Sequence, residues 1–100
     1  MATEIASTQD LAIGEMMGVE KDGTSLLVAN VDGSFYAINN ICTHMRCKLS
    51  EGVLTGDTVQ CPCHGSIFNV KTGAVEKGPA NSPVSSYPIE IEGDRIMAEL

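Results

Sequence analysis

Two hexapeptides, Cys42-Thr43-His44-Met45-Arg46-Cys47 and Cys61-Pro62-Cys63-His64-Gly65-Ser66, hold every cysteine and every histidine in the chain. Four Cys and two His spread over 100 residues would ordinarily scatter. Their confinement to two short blocks points to a site built from soft ligands, and the rest of the chain is organised around it. The spacing is C-x-H in the first block and C-x-x-H in the second, with Cys47 and Cys63 as two further cysteines. Two sulfur and two nitrogen donors suit either tetrahedral zinc or an iron-sulfur cluster of mixed ligation. A single zinc usually draws its near pair from more widely spaced units, so that both side chains converge on one atom, and the one-residue gap between Cys42 and His44 is uncommon for it.

The segments around the blocks read as strands. Glu15 to Glu20 and Thr24 to Val31 flank Lys21-Asp22-Gly23, a hairpin signal, and Asp32-Gly33 turns the chain again into Phe35 to Ile38. That strand delivers the chain into the first block, which places the block on a loop at the end of a sheet. Turns at Ser50-Glu51-Gly52 and Thr55-Gly56-Asp57 surround Val53-Leu54. Thr58 to Cys61 is a short strand leading into the second block, and Ile67 to Val70 returns from it before the Lys71-Thr72-Gly73 turn, so the second block is expected on a hairpin. Gly78 to Pro83 is the most turn-rich segment, an irregular loop and a candidate lid. Ser86 to Ile91 and Arg95 to Glu99 form a closing hairpin about Glu92-Gly93-Asp94. The residues before Glu15 read as a short polar start. Helical periodicity never exceeds a turn or two, at Thr8 to Ile13 or Cys47 to Glu51, so the expected class is all-β, a sandwich or barrel in one domain spanning residues 1–100.

A net charge of -7 without a Lys/Arg cluster argues against nucleic-acid binding. No apolar run approaches the roughly 18 residues of a membrane helix, and the start lacks the basic and apolar regions of a signal peptide. The expectation is a soluble, cytoplasmic protein with no membrane anchor. Arg46 and Lys48 make the tip of the first block locally basic, and Met45 is placed either to form the apolar centre of a docking patch or to anchor the loop as a partly buried side chain.

The two blocks resemble the cluster-binding loops of the Rieske [2Fe-2S] family. The match extends to Gly33-Ser34-Phe35-Tyr36-Ala37-Ile38 upstream, to Leu49-Ser50-Glu51-Gly52 between the blocks, and to Gly78-Pro79-Ala80, which is similar to the family's proline-containing loop. The resemblance implies three small antiparallel sheets with one [2Fe-2S] cluster at a tip. It implies Cys42 and Cys61 on the inner iron, His44 and His64 on the outer iron, and a disulfide between Cys47 and Cys63, as in high-potential members. Ser66 matches a serine whose hydroxyl donates to a cluster sulfide. Where high-potential members carry a tyrosine two residues later, this chain has Phe68. One tuning donor kept and one lost implies an intermediate potential.

Ligand charge explains why such a site is readily reduced. Two ferric ions, two sulfides and two thiolates with neutral imidazoles sum to zero, whereas an all-cysteine cluster is dianionic before it accepts an electron. Potentials accordingly rise from about -400 mV to between about -150 and +300 mV. With both histidines assigned, none remains for the mononuclear iron of an oxygenase, and no dinucleotide-binding glycine motif marks the chain as the flavin reductase. The expected role is a monomeric one-electron carrier rather than an enzyme. It would take electrons from a flavin-dependent or other reductase and pass them to a terminal oxygenase or similar enzyme, as in multicomponent dioxygenases. A small Rieske subunit of a larger reductase, of the nitrite reductase accessory type, and a zinc-binding structural module are the alternatives.

Overall fold

The computed structural model describes residues 2–43, 47–63, 65–78 and 80–100. The strands are β1 (Ala2–Ser7), β2 (Met16–Lys21), β3 (Thr24–Val31), β4 (Ser34–Asn39), β5 (Val53–Thr55), β6 (Thr58–Gln60), β7 (Ile67–Asn69), β8 (Val75–Lys77), β9 (Ser86–Tyr87), β10 (Ile89–Glu92) and β11 (Arg95–Glu99). They form three antiparallel sheets in the orders β1-β11-β10, β2-β3-β4-β9 and β5-β6-β7-β8. The chain is all-β, as expected. Among the described residues only single 3-10 turns occur besides, at Thr8–Asp10 and Leu49–Glu51, inside the two places where the sequence allows a short helix. None of these is long and apolar enough to cross a membrane.

The two Asp-Gly pairs work through backbone geometry. Asp22 and Gly23 have φ of 51° and 79°, and Asp32 and Gly33 have φ of 54° and 93°. Each pair is a two-residue loop, closed by Lys21 opposite Thr24 and Val31 opposite Ser34. Positive φ at both central residues is the turn whose twist matches a β-hairpin, and Asp followed by Gly tolerates it best.

Strand β3 is the centre of the fold. Leu27, Ala29 and Val31 face one core, with Ile38, Cys42, Leu49, Val59, Cys61, Phe68 and Val70. Leu26 and Val28 face a second core with Ile5, Leu11, Ala37, Ile96 and Ala98. The period of two along a strand buried on both sides assigns alternate residues to different cores. The first core supports the cysteine loops, and the second joins the terminal sheet to the β2-β3-β4-β9 sheet.

Two sequence expectations are corrected, and one strand is added to them. The polar start is strand β1, paired with β11 and burying adjacent Ile5 and Ala6. A register shift between Glu4 and Ala6 breaks the alternation that would have marked it. Strand β8 is a further edge, pairing Phe68 with Val75 and Ile67 with Lys77 across a second irregularity. Ser86 to Ile91 is two strands: Pro88, which has no N–H to donate, separates β9 on β4 from β10 on β11, and the chain changes sheets there.

Candidate metal centre

Both cysteine blocks are hairpin loops closed in the same way. In the first, Ile41 bridges Lys48, and the Cys42 N–H donates to the Cys47 carbonyl at 2.9 Å. In the second, carried by β6 and β7, the Cys61 N–H donates to the Ser66 carbonyl at 2.7 Å. Each loop thus opens on a cysteine and is pinned at its sixth residue. Cys42 and Cys61 are 1% and 2% exposed, at the loop bases and within the first core. Burial there keeps each sulfur at the boundary between a packed apolar layer and the loop.

Cys47 and Cys63, for which the family resemblance implies a bridge, are joined as a disulfide with their Cα atoms 6.5 Å apart. The sulfurs of Cys47, Cys61 and Cys63 lie within 4.8 Å of one another, but the disulfide consumes two of the three as metal donors. The cysteines outside the disulfide are Cys42 and Cys61. The expected ligands His44 and His64, with Met45, Arg46 and Pro79, lie outside the described residues.

The segment from Gly78 to Pro83, expected as a lid, is hooked by one side chain from each loop. Thr43 Oγ1 donates to the Ser82 carbonyl at 2.7 Å, and Ser66 Oγ accepts the Ala80 N–H at 2.9 Å. Ser66 is 1% exposed. It serves a backbone amide 14 residues away rather than its own turn, and accepting that bond leaves its hydroxyl proton available to donate. Phe68 is fully buried in the core that contains both cysteines, paired across the sheet with Val59.

Sequence reasoning missed the polar group behind the first loop. Asn40, 2% exposed, accepts the Ser50 N–H at Oδ1 (2.8 Å) and donates from Nδ2 to Ser50 Oγ (3.0 Å). A buried Asn two residues before a cysteine has no distinctive sequence signature. Gly18 inside strand β2 was the usable signal, because glycine in a strand interior often marks a close approach.

The described donors fit the sulfur side of an iron-sulfur centre: one buried cysteine side chain per loop, equivalently placed, two loops tied together beyond them, and a buried hydroxyl beside the second. Fold and site together define a small all-β metalloprotein with a two-loop centre. A family model, the Rieske [2Fe-2S] domain, matches residues 1–88, and the chain belongs to that family, whose cofactor is a [2Fe-2S] cluster. It is 40% identical over 98 residues to the ferredoxin component of biphenyl 2,3-dioxygenase from Rhodococcus jostii, covering 98% of this chain and 92% of that one. The Sphingomonas yanoikuyae ferredoxin superposes with a TM-score of 0.94 at 30% identity, covering 100% and 99% of the two chains. The ferredoxin in a complex of reduced oxygenase and oxidised ferredoxin of carbazole 1,9a-dioxygenase superposes with a TM-score of 0.91 at 33% identity, covering 97% and 91%.

Proposed function

We propose that this protein is a soluble, cytoplasmic one-electron carrier, a single domain over residues 1–100. In this reading Cys42 and Cys61 hold the inner iron, and His44 and His64 the outer iron, of one [2Fe-2S] cluster. The observation that carries it is the pair of identically closed loops, each presenting one buried cysteine outside the disulfide. When bound, the cluster supplies a one-electron redox couple. The chain's own residues do the rest. The core beneath Cys42 and Cys61 excludes water from the thiolate side, and the disulfide and the bonds from Thr43 and Ser66 hold the loops at a fixed separation.

The donor is a flavin-dependent or other reductase, and the acceptor is a terminal oxygenase, by likeness to the dioxygenase ferredoxin components. Val53, 60% exposed on edge strand β5, borders a recess beside Cys61 with Glu51, Gln60, Pro62 and Gly65. This offers a partner an apolar contact at the base of the second loop. A carrier that alternates between two partners needs small, transient contacts, which fits a monomer.

The test is elemental and kinetic. Purified protein should contain two irons and two acid-labile sulfides per chain. It should be reduced by an NADH-dependent flavin reductase and reoxidised by a terminal oxygenase in stopped-flow absorption. Zinc without iron would overturn the reading.

Two substitutions report on tuning. Ser66→Ala should lower the midpoint potential by about 60 mV, because a hydrogen bond stronger by about 1.4 kcal/mol in the reduced state corresponds to that shift for one electron. Phe68→Tyr should raise it by a similar amount by adding a donor at a site that now has none. Both are read by spectroelectrochemical titration, and an unchanged Tyr variant would mean that its hydroxyl finds another partner.

A further inference from the structure

The two loops close alike but are anchored differently. Beneath the second, the cross-strand pair is apolar, Val59 opposite Phe68. Beneath the first sits Asn40, which is bonded through both its backbone and its side chain. Its N–H donates to the Ser25 carbonyl (2.9 Å) and its carbonyl accepts from the Leu49 N–H (2.7 Å), while the side-chain amide grips Ser50 at both the backbone N–H and Oγ. A single hydrogen bond leaves a loop free to swing about it; a planar amide bound at two points does not. Asn40 precedes Cys42 by two residues, and Ser50 follows Cys47 by three. The grip therefore spans both feet of the loop.

Strand β2 is shaped to admit this pair. A Cβ on Gly18 would lie 2.8 Å from Ser50 Oγ and 3.1 Å from Asn40 Nδ2. Gly18 is not among the residues with positive φ, so close approach, not backbone conformation, calls for glycine there.

We propose that the Asn40–Ser50 pair, seated on Gly18, is a positioning lock that fixes the first ligand loop and sets how firmly the metal centre is held. The inference rests on the metal-centre reading above. Asn40, Ser50 and Gly18 act through the orientation of Cys42 and the backbone about it. The part-buried Ser50 N–H would lose its protein partner if the amide let go, and leaving a shielded donor unsatisfied carries a free-energy cost.

The test uses Gly18→Ala, Ser50→Ala and the double variant in cluster-loaded protein. Three readouts apply: the rate of iron loss to a strong chelator, the electron paramagnetic resonance g-values of the reduced protein, and hydrogen exchange of the Ser50 amide in metal-free protein. Gly18→Ala should speed iron loss about tenfold or more, the scale on which groups supporting metal ligands act. It should also shift the g-values and expose the Ser50 amide to exchange. Ser50→Ala should have a smaller effect of the same kind. In the double variant, removal of Oγ relieves the closest contact, so iron loss should return to the Ser50→Ala rate. If Gly18→Ala lowers only the melting temperature, with release rate and g-values unchanged, or if Ser50→Ala fails to suppress it, the lock is refuted. Wild-type protein without iron would instead refute the metal-centre reading itself.

Discussion

Phe68→Ala should cost about 3–5 kcal/mol of stability, the range for emptying a fully buried aromatic site. Phe68 has no exposed surface and sits between Val59 and Val75 across the β5-β6-β7-β8 sheet, in the core with Leu27, Ile38, Leu49 and Val70. Neighbours on a paired sheet collapse poorly into a cavity, because their backbones are held by the ladder. Denaturant unfolding should show a lower midpoint at unchanged slope, the mark of lost stability rather than an altered unfolded state. Cys42 and Cys61 share this core, so iron should also leave faster. A loss below about 1 kcal/mol would mean that the core closes over the gap and that Phe68 is not its keystone.

Replacing both Cys47 and Cys63 with serine should cost about 3 kcal/mol, the chain-entropy value for a link between residues 16 apart in sequence. The effect should exceed this in the loaded protein, because the bridge is a covalent tie between the two cysteine loops. Comparing unfolding of the wild type and the double variant, with and without reductant, separates the contributions. Reductant should lower the wild-type midpoint toward that of the variant and leave the variant unmoved. Cys63 is exposed and Cys47 half-buried, so the bond is open to attack by thiols. Equal midpoints for the wild type and the variant would show that hydrogen bonds alone hold the tip.

The hairpins from β2 to β4 were legible in the sequence because Asp22-Gly23 and Asp32-Gly33 carry their turn geometry locally. The hairpin under the second block was legible because strand-like runs flank it. Strand β1 was hidden by its irregular register, and the break at Pro88 was visible in principle, since proline has no N–H to give a ladder. At the site, cysteine and histidine spacing is local information, and it led to the family. The ties made by Asn40, Thr43 and Ser66 are long-range: Thr43 to Ser82 and Ser66 to Ala80 join segments 39 and 14 residues apart. Nothing in the residue types involved distinguishes such bonds from ordinary turn chemistry.

The three ties across the tip, the disulfide and the hooks onto the Gly78 to Pro83 segment, bear on speed as well as on retention. A carrier passes between two charge states on every cycle, and any shift of its surroundings between them adds to the barrier for transfer. Dipoles and donors already fixed in place need little reorganisation when the charge changes. The Ser66 hydroxyl oxygen, which accepts the Ala80 N–H, is a polar group fixed in this way. A tip cross-linked in this way should keep the reorganisation energy of each electron transfer low, so that a brief encounter with a partner is enough for exchange.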